Sequence, residues 1–554
     1  MQSFLTFITL FGLSFFIWGS VGLCRYAVEN FKYFSGEGLL KILVIPIGAL
    51  FSLLVFWFSL ESTLPFVAKL IHSWNIAGVN IATITMVIIP VWVVTCGVIC
   101  GYLVTRLFDI RSFMAFIGLF GGVYAIGVIY LMSILQETEL IFIGTDVNFF
   151  IVSLSFISAW FGLRFAGRTM SNESFSDCPP SFDSSNEVRL GDVAVLVPAH
   201  NEENTISSCL ASLGKVIPVN QVFVGSDGSA DKTVDIVTQY GGNVVDIQPN
   251  RGKAGTLQYL IDHFSICDHY KAVLILDADS EIDEQYLNCA LPLFNDPEVV
   301  AIAGHAIPKW YQHNYPRWAM FFIAYRVRLY KLTQAILRYG QTWRHVNVSF
   351  IVPGFASMYR CSVLPNIDIA AKGLIIEDFN MTFELHHKHL GKIAYIPQVR
   401  CICHEPYNLT DYIKQVRRWY LGFWQTVRLH GFWSSIFWLA LGAFIFEMLM
   451  QSFIFITVPF VLVWLMWPSI ESITLWLPYI GLADIKLSHV VIGVFITDYV
   501  LTMLVAVAEK KPMLMFYGLG FFVLRWIDAF LFIFTLPLTF FVKSNGTWVS
   551  PLRA

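Results

Sequence analysis

Apolar residues follow two different patterns along the chain. Long, nearly uninterrupted apolar stretches lie before residue 170 and after residue 434, whereas the central part alternates short apolar runs with polar segments. About 20 consecutive apolar residues are enough for a helix to cross a bilayer, and short β-branched runs bounded by polar residues are typical of buried strands. The pattern therefore predicts transmembrane helices on both sides of an α/β domain.

The N-terminal region, residues 1–167, contains five apolar stretches of about spanning length. They cover residues 4–24, 38–60, 81–105, 112–135 and 148–165. The loops at 25–41 and 106–111 carry Arg and Lys, whereas the loop at 136–147 carries only acidic charges. Because basic loops are retained on the cytoplasmic side, we expect the N-terminus outside and residue 165 inside. The first stretch lacks a basic flank and a small-residue cleavage site, so we interpret it as a retained span.

The central domain is predicted to begin after a linker at 168–191, which is rich in Ser and Pro. Four short apolar runs predict strands at Val193–Val197, Val222–Val224, Val244–Ile247 and Ala272–Leu276. Helical segments are expected between them, beginning near residues 204, 231 and 254. Such alternation predicts a mostly parallel sheet within a cytoplasmic domain of residues 192–407.

Polar residues follow three of these predicted strands. They are Asn201 with Glu202, then Asp227, and then Asp277 with Asp279. Ligands of open α/β sheets bind at the carboxyl ends of the strands. Two carboxylates at the end of a buried strand are costly unless their charge is compensated, and Mg²⁺ or Mn²⁺ carrying a diphosphate would compensate it. For an isolated D-x-D pair, an acidic turn is the alternative.

Residues 408–434 are predicted to form amphipathic interfacial helices. Apolar residues rich in Trp and Tyr recur at helical spacing from Leu409 to Val427, and basic residues fall mostly elsewhere on the helix. This pattern favours a helix lying in the membrane interface, with a buried amphipathic helix as the alternative. Residues 317–338 show the same pattern more weakly.

The C-terminal region, residues 435–543, has apolar stretches at 435–467, 488–508 and 515–543. The first is long for one span, so it is interpreted as an interfacial helix followed by a crossing. Three crossings place the tail at 544–554 outside the cell, and four place it inside. Ionisable residues inside these stretches either line a polar path or form ion pairs between packed helices. They are Glu447, Asp498, Arg525 and Asp528.

Composition supports a membrane protein. The 554 residues are 56% hydrophobic and only 14% charged, and the mean hydropathy is +0.63. The net charge of −3 gives no support for nucleic-acid binding. Cys401, Cys403 and His404 have no second ligand pair at zinc spacing, so a strand is favoured there. The histidines at 386, 387 and 389 are interpreted as a polar helix face rather than metal ligands.

The motifs of residues 192–430, taken in order, resemble those of membrane-embedded processive family 2 glycosyltransferases. These include the hyaluronan, poly-N-acetylglucosamine and cellulose synthases. The matching segments are VPAHNEE at 197–203, SDGS at 226–229, RGKAG at 251–255, the D-x-D pair, VPGFA at 352–356, IED at 376–378 and QVRRW at 415–419. The resemblance implies a cytoplasmic GT-A catalytic domain in a multi-pass protein of the plasma or inner membrane.

The same resemblance implies a set of binding residues. Those expected to bind the nucleotide-sugar are Ala199, Asn201, Glu202, Asp227, Lys253, Asp277, Gln415, Arg418 and Trp419. Asp279 is the expected direct ligand of Mn²⁺ or Mg²⁺, with Asp277 beside it. Gly354, Phe355 and Trp419 are expected to form the acceptor platform. For Lys253, a charge at the start of a helix is an alternative to a nucleotide contact.

The catalytic roles implied by the resemblance fall on three residues. Asp378 is expected to take the proton of the acceptor hydroxyl, and Glu377 to orient the base or a neighbour. Arg418 is expected to neutralise the leaving diphosphate. The alternatives are an acid at a helix N-terminus for Asp378 and an arginine snorkelling to the interface for Arg418.

Three functions compete on this evidence. The leading hypothesis is a processive synthase that elongates a polysaccharide from a UDP-sugar and passes it across the bilayer. The alternatives are a single transfer to a sphingolipid or polyprenyl phosphate, and a non-enzymatic membrane subunit. The chain lacks an F-x-V-T gating sequence, and WVSPLR at 548–553 only faintly resembles other gating segments. Accessory subunits or a homo-oligomer are further expected partners.

Overall fold

The computed structural model describes residues 188–310, 318–465 and 498–542, apart from positions 500 and 504, together with four short strands elsewhere. The five predicted N-terminal spans, most of the linker and the tail at 544–554 lie outside the described residues. Two of the short strands, β1 (Asn75–Ile76) and β2 (Val79–Asn80), pair antiparallel between the second and third of those apolar stretches.

The central region alternates strands with helices, as the sequence predicts. The strands are β3 (Val193–Ala199), β4 (Val222–Asp227), β5 (Asn243–Ile247), β6 (Ala272–Leu276), β7 (Glu281–Ile282), β8 (Val299–Ala303), β9 (His305–Pro308), β10 (Ala356–Arg360), β11 (Lys392–Ala394) and β12 (Arg400–Cys403). The helices are α1 (Ile206–Leu213), α2 (Thr233–Tyr240), α3 (Gly252–His263), α4 (Ile266–His269), α5 (Tyr286–Ala290), α6 (Ala319–Tyr330), α7 (Tyr339–Gln341) and α8 (Glu377–His387). A π-helix, Lys331–Arg338, joins α6 to α7.

Seven of these strands form one mixed sheet in the order β11-β8-β10-β6-β3-β4-β5. The pairs β11–β8, β6–β3, β3–β4 and β4–β5 are parallel, whereas β10 is antiparallel to both of its neighbours. The prediction of a mostly parallel sheet is therefore confirmed, with β10 as the exception. A second sheet of three strands has the order β7-β12-β9.

The four strands predicted from the sequence are confirmed as β3, β4, β5 and β6, and three of them are continuously buried. Every residue of β3, β4 and β6 is buried, which is the condition that produces uninterrupted β-branched and aliphatic runs. The strand predicted at Cys401 and Cys403 is confirmed as β12. The sheet therefore brings the ends of β3, β4 and β6 to one edge, where the predicted binding residues begin.

Two C-terminal helices are apolar enough to cross a bilayer. These are the segment Ile436–Thr457 of α10 (Ile436–Leu465) and the whole of α12 (Phe521–Leu538), which are both long enough and apolar enough among the described residues. Because α10 is continuous from Ile436 to Leu465, no break separates an interfacial part from a crossing part in these residues, and the placement of the segment relative to a bilayer stays a prediction. Other described C-terminal elements are β13 (Thr474–Leu477), β14 (Leu482–Lys486), α11 (Met513–Gly518) and helical residues within 498–508.

The predicted interfacial segment 408–434 is a single helix, α9 (Leu409–His430). Its apolar residues Tyr412, Val416, Phe423 and Trp424 are buried among side chains of α6, α10 and α12. This corresponds to the buried amphipathic alternative for that face. The helix is therefore held between the central α/β domain and the C-terminal helices.

Ionisable residues of the C-terminal helices form pairs within the protein. Asp498 lies 2.5 Å from Arg328 Nη2 and 3.3 Å from Arg525 Nε. Asp528 accepts hydrogen bonds from the hydroxyl groups of Tyr325 and Tyr412, each at 2.6 Å. Of the two alternatives, these contacts favour packing between helices over a polar path.

Helix α9 also packs directly on the segment that precedes α8. A Cβ atom at Gly422 would lie 2.9 Å from Ile376 Cβ, so only glycine allows this approach. The side-chain oxygen of Gln425 accepts from the backbone N–H of Ile375 at 3.1 Å. The position of α9 is thus fixed relative to the two residues that follow, Glu377 and Asp378.

The substitution Gly422→Ala should destabilise the protein, because the new methyl group must displace Ile376, and overpacking of this kind costs about 1–3 kcal/mol. We expect a lower melting temperature and weaker activity of the purified protein. Gly442→Ala in α10 is the matched control, since a Cβ atom there meets nothing within 4 Å. Equal melting temperatures for the two variants would contradict the close contact.

Candidate active site

Lys253 joins residues from three of the predicted motifs. Its Nζ lies 2.7 Å from Asp277 Oδ1 and 3.1 Å from Glu377 Oε1, and it donates to the carbonyl oxygen of Gly354 at 3.0 Å. The Lys253 side chain is 20% exposed and that of Glu377 8% exposed. Burial alone would lower the pKa of Lys253, but the carboxylates of Asp277 and Glu377 raise it above its usual value. Lys253 therefore stays charged and holds two carboxylates together.

The surrounding backbone explains why these groups meet. Asp277 follows β6 directly, and its N–H donates to the carbonyl oxygen of Phe355 at 3.0 Å. That contact continues the antiparallel pairing of β6 with β10, so the loop before β10 lies beside the D-x-D pair. Glu377 is the first residue of α8, where an acidic side chain interacts favourably with the helix dipole.

Asp378 lies beside the same cluster and is poised to exchange a proton. Its Oδ2 accepts from the N–H of Gly354 at 3.2 Å, and its Oδ1 accepts from the N–H of Phe379 at 2.7 Å. Burial and then the negative charge of Glu377 raise the pKa of Asp378 to about 7, against the opposing effect of Lys253. A carboxylate with a pKa near neutrality is suited to general base catalysis.

Asp227 is fully buried at the end of β4 and binds the start of α3. Its Oδ1 accepts from the N–H of Arg251 at 2.7 Å, and its Oδ2 accepts from the N–H of Gly252 at 2.8 Å. Gly252 has a φ of +74°, a conformation that favours glycine. Asp227 therefore shapes the loop that presents Lys253, and any contact with a nucleotide would use its remaining lone pairs.

The loop after β3 is held against the loop after β4. Asn201 accepts from the N–H of Ala230 at 2.8 Å, and its own N–H donates to Ser229 at 3.1 Å. Ala199 ends β3, and the carboxylate of Glu202 is buried, accepting from the hydroxyl of Thr205 at 2.6 Å. Glu202 thus faces the start of α1, while Asn201 remains exposed at the edge of the sheet.

Asp277 and Asp279 provide oxygen ligands of the kind that Mg²⁺ and Mn²⁺ prefer. Within the residues that the structure describes, no group of three or more His, Cys, Asp or Glu side chains could hold a metal. The two carboxylates suit such a cation, and a donor diphosphate and water would supply its further ligands. Lys253 Nζ lies 2.7 Å from Asp277 Oδ1, and direct binding of the cation by Asp279 stays a prediction.

The QVRRW motif lies on α9, one to two turns before Gly422. Gln415 Oε1 accepts from Arg326 at 2.5 Å, and the guanidinium of Arg326 lies 4.4 Å from the centre of the Trp419 ring. Arg418 is exposed. Among the described residues, its guanidinium forms no ion pair with the carboxylates around Lys253.

The predicted acceptor residues Gly354 and Phe355 lie at the Lys253 cluster. A Cβ atom at Gly354 would be 2.9 Å from both Lys253 Nζ and Glu377 Oε1. The absence of a side chain at Gly354 therefore lets its backbone approach the cluster. Trp419, the third predicted acceptor residue, is half-buried on α9, and its ring lies against the guanidinium of Arg326.

The histidines near the end of α8 pack against the C-terminal helices. His386 Nε2–H donates a hydrogen bond to the carbonyl oxygen of Ser349 at 2.7 Å, and the ring stacks on Phe437 at 4.3 Å. His387 stacks on Trp433 at 4.6 Å, and His389 lies beyond the end of the helix. His387 and His389 are exposed, as expected for a polar helix face, whereas His386 is half-buried against Phe437 and departs from that prediction.

Sequence reasoning missed several residues that surround the predicted site. Arg326 and its ion-pair partner Glu405 are buried beside Gln415 and Trp419. His200 Nδ1 lies 2.6 Å from the carbonyl oxygen of Asp227, beside the nucleotide loops. Two arginines, Arg326 and Arg328, interrupt the apolar run of α6, and this is the signal that could have identified Arg326.

The comparison with known families identifies the central region. The sequence model of the family described as "Glycosyltransferase like family 2" matches residues 191–422. Residues 191–422 are therefore similar to a family 2 glycosyltransferase domain. The match begins just before β3 and ends within α9, so it includes every motif from VPAHNEE to QVRRW.

Curated relatives share the same region of the chain. A poly-beta-1,6-N-acetyl-D-glucosamine synthase of Staphylococcus epidermidis is 26% identical over 250 residues, which are 43% of this chain and 57% of the relative. The enzyme of the same name from Staphylococcus aureus is 26% identical over 239 residues, covering 42% of this chain and 55% of the relative. The match thus spans little more than half the length of these relatives.

Solved structures show a weaker likeness. A mannosyltransferase from Pyrobaculum calidifontis, crystallised with GDP-mannose and Mn²⁺, is 14% identical to this chain. The alignment covers 71% of this chain and 98% of the mannosyltransferase, with a TM-score of 0.37. A TM-score this low does not establish a shared fold.

The substitution Gly354→Ala should reduce activity more than stability. The added methyl group must displace Lys253 Nζ or Glu377 Oε1, which are flexible side-chain ends, so the fold can adjust while the cluster cannot. We expect a loss of transfer rate of about tenfold or more from misplacement of these groups. Gly191→Ala is the matched control, because a Cβ atom there meets nothing within 4 Å. Full activity of Gly354→Ala at an unchanged melting temperature would refute the close approach.

Proposed function

We propose that this chain is an inverting, metal-dependent glycosyltransferase of the plasma or inner membrane that elongates an extracellular polysaccharide from a UDP-sugar. The catalytic domain would be cytoplasmic. The family 2 domain supports sugar transfer, and the names of the staphylococcal relatives support a polysaccharide product.

One observation carries the proposal. Lys253 lies within 3.1 Å of both Asp277 and Glu377, so the D-x-D pair and the E-D pair are parts of one charged cluster. The two segments are 100 residues apart in the sequence. Sugar transfer needs a base beside the anomeric carbon and positive charge beside the leaving diphosphate, and this cluster supplies the residue types for both.

In the proposed reaction, Asp378 acts as the general base. As the acceptor oxygen forms a bond to the anomeric carbon, its proton passes to the Asp378 carboxylate, and the bond from that carbon to the diphosphate oxygen breaks. UDP leaves with the bonding electron pair. Attack opposite to the leaving group inverts the configuration in one step, so no covalent enzyme intermediate is needed.

Asp279, with Asp277 beside it, is the proposed ligand of Mn²⁺ or Mg²⁺. The bound cation would neutralise negative charge that develops on the diphosphate. Arg418 is exposed on α9 and would move onto the diphosphate when the donor binds. Ala199, Asn201, Glu202, Asp227 and Gln415 would line the donor site, whereas Gly354, Phe355 and Trp419 would receive the acceptor.

Exposed aromatic and aliphatic side chains support membrane embedding. Leu439, Phe446, Phe453 and Phe460 recur every seven residues along α10 and are 63–71% exposed. A seven-residue step returns to the same face of a helix. A continuous apolar stripe of this length is unfavourable in water and is compatible with lipid. Similar exposed residues, including Trp526, Phe530 and Phe534, lie on α12.

The experiment that tests the function uses purified protein in lipid with a panel of radiolabelled UDP-sugars and either Mn²⁺ or Mg²⁺. A high-mass, water-soluble product is expected from one donor, and chelation by EDTA should abolish it. Asp378→Asn should reduce the rate by about 100-fold or more, because the amide cannot accept the proton. Asp262→Asn, an exposed position on α3, is the matched control.

Other products would revise the proposal in defined ways. A small product extracted into organic solvent would replace the polysaccharide acceptor with a lipid such as a sphingolipid or polyprenyl phosphate. Absence of transfer from every donor would contradict the enzyme itself. Equal UDP release by wild type and Asp378→Asn would show that Asp378 is not the base.

The pH dependence of the reaction should reflect the raised pKa of Asp378. Because the base must be ionised, kcat/KM should fall as the pH decreases through about 7, the pKa of Asp378. Glu377→Gln removes a nearby negative charge, so ionisation becomes easier and the midpoint should move to lower pH. Glu384→Gln, two turns along α8, should leave the midpoint unchanged. A midpoint that moves upward in Glu377→Gln would contradict this electrostatic account.

A further inference from the structure

Arg326 is a fully buried charge at the centre of α6. Its side chain has 0% exposure, and its counter-ion Glu405 has 3%. The guanidinium Nε lies 3.3 Å from Glu405 Oε2. Burying such a pair removes two charges from water, and apolar residues of similar volume often stabilise a protein more than a buried pair does. Stability alone therefore does not account for an arginine at this position.

Three further contacts of Arg326 fall on one face of α9. Its Nη2 donates to Gln415 Oε1 at 2.5 Å. Its guanidinium carbon lies 4.4 Å from the centre of the Trp419 ring and 4.8 Å from that of Tyr412. Residues spaced by three and four positions share a helix face, so one planar cation fixes a polar group and two aromatic rings together.

The same face of α9 is held from the membrane side. Tyr412 and Tyr325, the neighbour of Arg326, both donate to the carboxylate of Asp528 on α12, each at 2.6 Å. Tyr412 is therefore fixed at its ring by Arg326 and at its hydroxyl by Asp528. These contacts restrict the rotation of α9. A rotation of the helix would move Trp419 and Gln415 away from their present positions.

We propose that Arg326 is a positioning residue that sets the orientation of Trp419 and Gln415 for sugar transfer. The guanidinium keeps one face of the Trp419 ring occupied and orients the Gln415 amide, so that both are in place before substrate binds. Lysine cannot replace it, because an ammonium group lacks the planar fork that donates to Gln415 while covering the ring. This inference rests on the proposed function for its kinetic consequence, but the geometry of α9 can be tested separately.

The kinetic test compares Arg326→Met and Arg326→Lys with wild type in the transfer assay. Arg326→Met should lower kcat by about 10- to 100-fold through misplacement of Trp419 and Gln415. Arg326→Lys should recover only part of this loss, although it retains the charge beside Glu405. In a Trp419→Leu background, Arg326→Met should cost less than it does in wild type, because residues that act through one another are not additive.

Arg360→Met is the matched control for loss of a buried arginine. Arg360 is 8% exposed, lies over the ring of Phe294 at 5.0 Å and donates to the carbonyl oxygen of Val299 at 2.7 Å. It pairs with Ala272 at the opposite end of β6 from Asp277. A general loss of folding should affect Arg360→Met as much as Arg326→Met. The effects of Arg360→Met and Trp419→Leu on the activation free energy should be additive.

Hydrogen exchange of the α9 amides gives a readout that does not need activity. Residues 409–430 should exchange faster in Arg326→Met than in wild type, with little change in Arg360→Met. If wild type transfers no sugar, the proposed function fails, whereas faster exchange confined to α9 still supports the role of Arg326. The inference would be overturned if Arg326→Met had the kcat and the exchange rates of wild type. It would also be overturned if the effects of Arg326→Met and Trp419→Leu on kcat simply multiplied.

Discussion

The ion pairs of Lys253 with Asp277 and Glu377 are the constraint on which the site depends. Three carboxyl groups, including that of Asp378, lie around one half-buried cation, which offsets their mutual repulsion. The cluster is therefore both a structural joint and the electrostatic setting of Asp378.

Helix α9 carries the QVRRW motif, and contacts on both sides of this motif hold the helix in place. Gly422 and Gln425 hold its later turns against the segment before Glu377. Its earlier turns are held by Arg326 and, through Tyr412, by Asp528 on α12. Because α12 is one of the helices apolar enough to span a bilayer, a displacement of that helix would reach α9 through Tyr412 and also through Tyr420 and Trp424, which both contact Phe532.

The sequence predicts the parts of this structure that depend on local pattern. Strands β3 to β6 follow from continuous apolar runs, and the edge of the sheet that holds Asp227 and Asp277 follows from their alternation with helices. Contacts between distant segments follow from no local pattern. Lys253 at the start of α3 gave no sign that it would bridge Asp277 and Glu377, and the apolar face of α9 could not be assigned to protein or to lipid before its neighbours were known.

Charge placement explains the two kinds of buried ionisable residue in the C-terminal half. Asp498 lies against two arginines, Arg328 and Arg525, so each group is compensated inside the helix bundle. Arg326 differs, since Glu405 compensates its charge while its Nη2 donates to Gln415 and its planar face covers the rings of Tyr412 and Trp419. A pair that only joined helices would not need these additional contacts. The arginine of α6 therefore belongs, by its contacts, with the motif of α9 rather than with the ion pairs that pack the C-terminal helices.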